Sequence, residues 1–204
     1  MSTVTNDPFF EVFDEVDSVR HGLPGTAYTS GEFFELEANQ LFAASWSFVG
    51  FAHQLANVGD VQPLTVAGKP VFLVRSETDK IRAFHNVCRH RNLKLIGQAG
   101  HCDALITCPY HRWSYDFGGQ LRLAPYFGGG KLGLPDGFDL ANHGLYEIPC
   151  HTFHDWVFVN LDGHAESFDV FLYHSSVNWL GLNPKSLKSW QRWNLVRCRP
   201  TGSC

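Results

Sequence analysis

Two short Cys/His pairs dominate this sequence: Cys88-Arg89-His90 and, after seventeen intervening residues, Cys108-Pro109-Tyr110-His111. Two thiols and two imidazoles arriving on two separate loops restrict the fold to one that holds two loop tips face to face. Each iron of a two-iron, two-sulfide cluster already carries two bridging sulfides and needs two protein ligands to complete a tetrahedron. Four ligands supplied as two pairs meet that need, and with two His among them both imidazoles belong on one iron. Two other readings stay open. A zinc site can also be Cys2His2, but its usual spacing groups like with like, a Cys pair followed by a His pair. The four residues could also be unconnected, since His85, His101 and His143 show that imidazole is frequent here.

Around this motif the pattern reads as mainly strands. Trp46 to Phe51 reads as a strand, as do Val71 to Arg75 and Ile81 to His85, the last two joined by the polar bend Glu77 to Lys80. That hairpin runs directly into Cys88. Ala104 to Thr107 leads into Cys108, and Trp113, Tyr115 and Phe117 alternate with polar residues as in a strand. Trp156 to Asn160 reads as a further strand. Helices are expected over Gly31 to Ala44, capped by Thr29 or Ser30, and from Phe168 to about Leu180, capped by Ser167.

Composition narrows the functional classes. With 44% hydrophobic and 18% charged residues the chain has the makings of a packed core. A net charge of −4 argues against nucleic acid as the main partner. No apolar run reaches membrane-spanning length and Met1 to Asp17 has no signal-peptide pattern, so a cytoplasmic location is expected. Of the six Cys, the four outside the motif (Cys102, Cys150, Cys198, Cys204) show no disulfide spacing.

Several stretches together, Trp46-x-x-Val49-Gly50, Ala83 to Arg91, Cys108-Pro109-Tyr110-His111-x-Trp113-x-Tyr115 and Trp156 to Asn160, resemble the N-terminal part of Rieske non-haem iron oxygenases, the alpha subunits of the aromatic-ring-hydroxylating type. The resemblance implies a mainly β fold: an antiparallel Rieske [2Fe–2S] β-sandwich domain (residues 46–157) between an N-terminal arm with short helices (1–45) and the opening of an α+β catalytic domain (158–204). It implies that Cys88 and Cys108 bind one iron and His90 and His111 the other, with Tyr110, Trp113 or backbone N–H groups tuning the centre. The respiratory type of Rieske protein adds a Cys beside each ligand pair, which this sequence lacks.

The same resemblance implies a flavin or ferredoxin reductase as electron donor, and a homotrimer in the full-length form. A mononuclear Fe(II) held by two His and a carboxylate is expected only in a full-length chain, because no helix carrying that set is legible before Cys204. His151-x-x-His154-Asp155 has the composition of such a set but lies outside the family's position for it. The chain therefore reads as a truncated or frame-shifted oxygenase subunit, with a stand-alone ferredoxin-like carrier or an inactive remnant as alternatives.

Overall fold

The computed structural model describes residues 23–129 and 133–180. Residues 1–22 of the expected arm, and the tail 192–204, lie outside the described residues. Helix α1 (Gly31–Glu37) begins where Ser30 Oγ accepts the Phe33 N–H at 3.2 Å, and it continues as a single wider turn, Ala38–Phe42. It feeds strand β1 (Trp46–Phe51).

The following strands are β2 (Asp60–Val66), β3 (Lys69–Glu77), β4 (Lys80–His85), β5 (Gly100–His101), β6 (Ile106–Thr107), β7 (Ser114–Tyr115), β8 (Leu121–Leu123), β9 (Glu147–Ile148), β10 (Cys150–Phe153) and β11 (Trp156–Asn160), and helix α2 covers Phe168–Leu180. They form three antiparallel sheets: β5-β2-β3-β4-β9, β6-β7-β8 and β1-β11-β10. The β2–β3 hairpin turns on Ala67 and Gly68, both at positive φ (45° and 74°), the conformation whose twist suits a two-residue hairpin turn.

β3 explains the layering. Its run Val71-Phe72-Leu73-Val74 is buried throughout, as a strand covered on both faces must be. Alternate side chains point opposite ways. Phe72 and Val74 pack with Ile106, Tyr115, Leu121 and the two motif cysteines, while Val71 and Leu73 pack with Val157 and Val159 of β11. The five-stranded sheet is thus the middle layer, with a small sheet on each side, and the ligand loops belong to one side only.

The other side is fastened by Asn160, at the end of β11. Its side-chain amide donates to Ala43 O and Ser45 O and accepts from Ala165 N–H, joining the exit of β11 to the segments before β1 and before α2. Phe168, the first residue of α2, lies 5.3 Å from Trp46 and 4.1 Å from His151, ring centre to ring centre.

The structure departs from the sequence reading at three places. β10 was not legible, since Cys-His-Thr-Phe carries no strand pattern; it forms because β11 offers it an open edge. The strand expected over Trp113 to Phe117 is only Ser114–Tyr115, with its register against β8 shifting between these two residues, and Ser114 is buried along with its neighbours instead of facing water. Its hydroxyl bonds Thr107 Oγ1 and Arg112 O, which takes the place of solvent. The candidate set His151, His154 and Asp155 does not converge: His151 stacks on Phe168, His154 sits against Phe153, and Asp155 pairs with His53.

Candidate metal centre

The two motif loops are built alike. In the first, Cys88 N–H donates to Leu93 O (2.8 Å) and Asn92 N–H donates to Cys88 O (2.9 Å); in the second, Cys108 N–H donates to Trp113 O (2.8 Å) and Arg112 N–H to Cys108 O (3.1 Å). Each loop is therefore a six-residue ring with Cys first, an aromatic or aliphatic anchor last, and a left-handed residue fifth, Asn92 at φ 57° and Arg112 at φ 61°. Only the His position differs, third in one loop and fourth in the other.

A left-handed backbone costs an ordinary L-residue about 1–2 kcal/mol, and Asn tolerates it better than Arg. Arg112 is exposed. Arg112→Gly is expected to stabilise the chain by about 0.5–1 kcal/mol once the larger backbone entropy of Gly is subtracted, seen as a higher urea midpoint with an unchanged slope.

The first loop is tied to the sheet by Asn86, which is fully buried one residue beyond β4. Its amide nitrogen donates to Ile96 O (2.8 Å), and its oxygen accepts Leu95 N–H (3.0 Å) and Ile96 N–H (2.9 Å). The side chain thus closes the segment carrying Cys88 and His90 like a clasp.

At the tips, like stands beside like. Cys88 and Cys108 are buried among core residues, and Cys108 is close enough to Cys88 to raise the Cys88 thiol's pKa. Burial pushes the Cys88 thiol above its ordinary value; the Tyr115 hydroxyl and the His90 backbone N–H draw it down, and Cys108 adds to the rise. Binding a metal ion overcomes such a rise by displacing the proton. The His90 and His111 rings are 4.7 Å apart at 72°. His90 lies flat on Trp113 (4.8 Å, 10°), and its pKa is lowered by burial first, then by His111 and Arg91.

Two buried nitrogens, His111 Nδ1 and Trp113 Nε1, have no hydrogen-bond partner among the described residues. An unsatisfied buried nitrogen costs about 1–3 kcal/mol. A metal bond at Nδ1 removes that cost for His111, so these residues fit a metal-bound group. Among the described residues no three His, Cys, Asp or Glu are arranged to hold a single metal ion. The donors come instead as two pairs, two thiols and two imidazoles, which suits a binuclear centre with two protein ligands per metal.

Tyr115, read from the sequence as a strand residue at the end of the family-like stretch and given no role at the centre, also touches it. Its oxygen accepts the Arg89 N–H at 3.0 Å and lies 3.3 Å from Cys88 Sγ. Because the backbone donor occupies one side of that oxygen, the phenolic proton is left for the sulfur. Burial, reinforced by Cys88, raises the Tyr115 pKa far above the ordinary value and keeps it a donor. Of the groups expected to surround the centre, Trp113 lies under His90, and Tyr110, itself 57% exposed, lies against His111.

Comparison with known proteins agrees with this geometry. The family model described as Rieske [2Fe-2S] domain matches residues 45–135. Paired Cys/His loops on stacked antiparallel sheets are what a Rieske [2Fe–2S] domain presents, and residues 45–135 of the chain match that domain. More narrowly, the relatives it matches are Rieske oxygenase alpha subunits. It is 35% identical over 152 residues to the glycine betaine monooxygenase oxygenase subunit of Chromohalobacter salexigens, covering 74% of this chain and 33% of that protein. It is 33% identical over 165 residues to the carnitine monooxygenase oxygenase subunit of Acinetobacter pittii, covering 81% of this chain and 43% of that one. A solved quaternary ammonium Rieske monooxygenase in complex with gamma-butyrobetaine superposes with TM-score 0.64 at 32% identity, over 73% of this chain and 41% of the other. The chain thus spans less than half the length of these relatives. Among the described residues no helix is long and apolar enough to cross a membrane.

Proposed function

We propose that Cys88 and Cys108 hold one iron and His90 and His111 the other, and that the chain is the electron-transfer portion of a ring-hydroxylating-type oxygenase alpha subunit. In this reading electrons from NAD(P)H reach the chain through a flavin or ferredoxin reductase and leave it for a mononuclear iron that supports oxygen insertion. The observation that carries the proposal is the pair of equivalent loops, which bury two adjacent thiols and set two adjacent imidazoles nearer the surface, one with an orphaned nitrogen. The bound cluster supplies one-electron chemistry, with Rieske potentials of about −150 to +300 mV against roughly −400 mV for plant-type ferredoxins. Without the respiratory type's second cysteine pair, a value near the low end is expected.

The residues around it have separate tasks. The half-buried imidazoles offer the shortest way out, since both thiols are enclosed by the core. With a cluster bound, Tyr115 would donate to the Cys88 sulfur and so would favour the reduced state. A homotrimer in which the receiving iron belongs to a neighbouring subunit is part of the proposal, supported by the solved relative described as revealing inter-subunit electron transfer. So is the division into an arm (1–45), a cluster domain (46–157) and the opening of a further domain (158–204), the last two joined within β11.

Iron and acid-labile sulfide assays test the reading: two of each per chain are expected, and zinc alone would overturn it. Tyr115→Phe is expected to retain the cluster with a potential lower by roughly 40–60 mV, corresponding to about 1–1.4 kcal/mol at 59 mV per tenfold change for one electron. An unchanged potential in a redox titration would remove Tyr115 from the account.

A further inference from the structure

We infer that Arg89 and Tyr146 form a latch that holds the Tyr115 hydroxyl in place beside the Cys88 sulfur, and that they thereby help to set the reduction potential of the centre. The inference rests on the proposed electron-transfer role and adds two positioning residues to it. Neither side chain is a candidate ligand. Both act through Tyr115.

Arg89 stands between two motif residues, Cys88 and His90, and makes two contacts that lead in different directions. Its backbone N–H donates to the Tyr115 oxygen at 3.0 Å, the same oxygen that lies 3.3 Å from Cys88 Sγ. Its guanidinium lies over the Tyr146 ring, with Cζ 3.8 Å from the ring centre. A cation within about 6 Å of a ring centre is attracted by the negative face of the ring. Among the described residues Arg89 forms no ion pair, and its buried Nε has no hydrogen-bond partner. The Tyr146 ring is therefore the group that holds this cation.

Tyr146 is a fixed platform because the supports of both ligand loops meet on its backbone. Its carbonyl accepts the His85 N–H (3.0 Å), at the end of β4 where the chain enters the first loop. One residue earlier, Leu145 N–H donates to Gly119 O (2.7 Å), in the turn that joins β7 to β8, and Leu145 packs in the core that contains both thiols. One residue later, Glu147 pairs with Phe84 of β4, and its carboxylate accepts from Arg82 at 2.8 Å. The segment is thus tied to the strand beneath the first loop and to the hairpin that carries Tyr115. The Tyr146 ring itself, 55% exposed, is left for Arg89.

The latch reaches the sulfur through hydrogen-bond cooperativity. A hydroxyl whose oxygen accepts an N–H bond becomes a stronger donor through its own proton. The Arg89 N–H does this for Tyr115 and also fixes the direction in which the phenolic proton points. Without the ring, the Arg89 side chain regains its rotamer freedom, and the backbone beside it is no longer pinned. The N–H then leaves the Tyr115 oxygen more often, donation to the sulfur weakens, and the reduced state loses support. The potential falls.

The test uses the full chain with its cluster and variants that separate the ring, the charge and the hydroxyl. Tyr146→Leu removes the ring and leaves every charge in place. It is expected to lower the potential by at least half the shift that Tyr115→Phe produces. Arg89→Ala is expected to lower it at least as much, and Tyr146→Phe, which keeps the ring, to titrate with the parent. In a Tyr115→Phe background Tyr146→Leu is expected to cause no further shift. A charge acting directly on the centre, or a general loosening of the loop, would shift the potential in both backgrounds.

Backbone exchange gives a second readout, one that needs no cluster. Hydrogen exchange at the Arg89 amide of the chain as purified is expected to quicken by roughly tenfold in Tyr146→Leu and to keep the parent's rate in Tyr146→Phe. The inference is overturned if Tyr146→Leu or Tyr115→Phe titrates with the parent, if the shift of Tyr146→Leu adds in full to that of Tyr115→Phe, or if the Arg89 amide exchanges no faster in Tyr146→Leu. A chain that purifies without a cluster would instead defeat the proposed function, and the exchange rates would still decide whether the latch exists.

Discussion

Cys108→Ser is expected to yield a colourless chain with less than a tenth of the parent's iron and sulfide, and with markedly lower stability. The thiolate is a soft ligand suited to iron–sulfur clusters, and the serine hydroxyl is a poor substitute. Of the other described cysteines, Cys102 is half-buried against the edge of the same core, and Cys150 lies on the opposite side of the middle sheet with its thiol pushed up to about 12 by burial. Cys150→Ser is therefore the matched control and should keep the cluster. The stability loss follows because binding free energy at a metal site is also folding free energy. Cys88, Cys108, Trp113 and Tyr115 form one core with Phe72 and Phe84, so emptying the centre loosens the packing of a whole layer. Iron, sulfide and visible absorption, with urea unfolding of both variants, check this result.

Asn86→Ala is expected to cost roughly 3–5 kcal/mol and to make the cluster labile. Three buried backbone groups, the N–H of Leu95, the N–H of Ile96 and the carbonyl of Ile96, lose their partner together. Each unsatisfied group costs about 1–3 kcal/mol, with some relief where water enters. Asn86→Asp separates the two halves of the clasp, since it keeps the acceptor for both N–H groups and loses the donor to Ile96 O. Its expected cost is smaller than that of Ala. The readouts are the urea midpoint and the rate at which a chelator strips iron. A stable Asn86→Ala chain that loses iron no faster than the parent would show that the first loop holds its shape without the sheet.

The legible parts of this protein were those in which one pattern carries the answer. The β3–β4 hairpin could be read because Val71 to Val74 and Ile81 to His85 are apolar runs bounded by a polar bend, and α1 because Ser30 stands where a cap must stand. The candidate ligand set could be named because four side chains of two kinds at fixed spacing carry their own chemistry. What escaped depends on contacts distant in sequence. β10 is a strand only because β11 is beside it, and Tyr115 matters only because the second loop curls back to place its oxygen at Cys88. Asn86 is an unremarkable polar residue in sequence, and becomes decisive because the turn at Leu95 and Ile96 brings three backbone groups to its amide. The triplet His151, His154 and Asp155 shows the opposite error of composition: strand alternation and a turn send the three side chains to separate partners.

The central claim is that two thiols and two imidazoles divide between two irons, and pulsed electron paramagnetic resonance of the reduced chain tests it most directly. With unlabelled and nitrogen-15 histidine, the account predicts a [2Fe–2S] signal coupled strongly to two imidazole nitrogens, both of which respond to the label. A [2Fe–2S] signal without nitrogen coupling, or a purified chain holding zinc and no cluster, would contradict it.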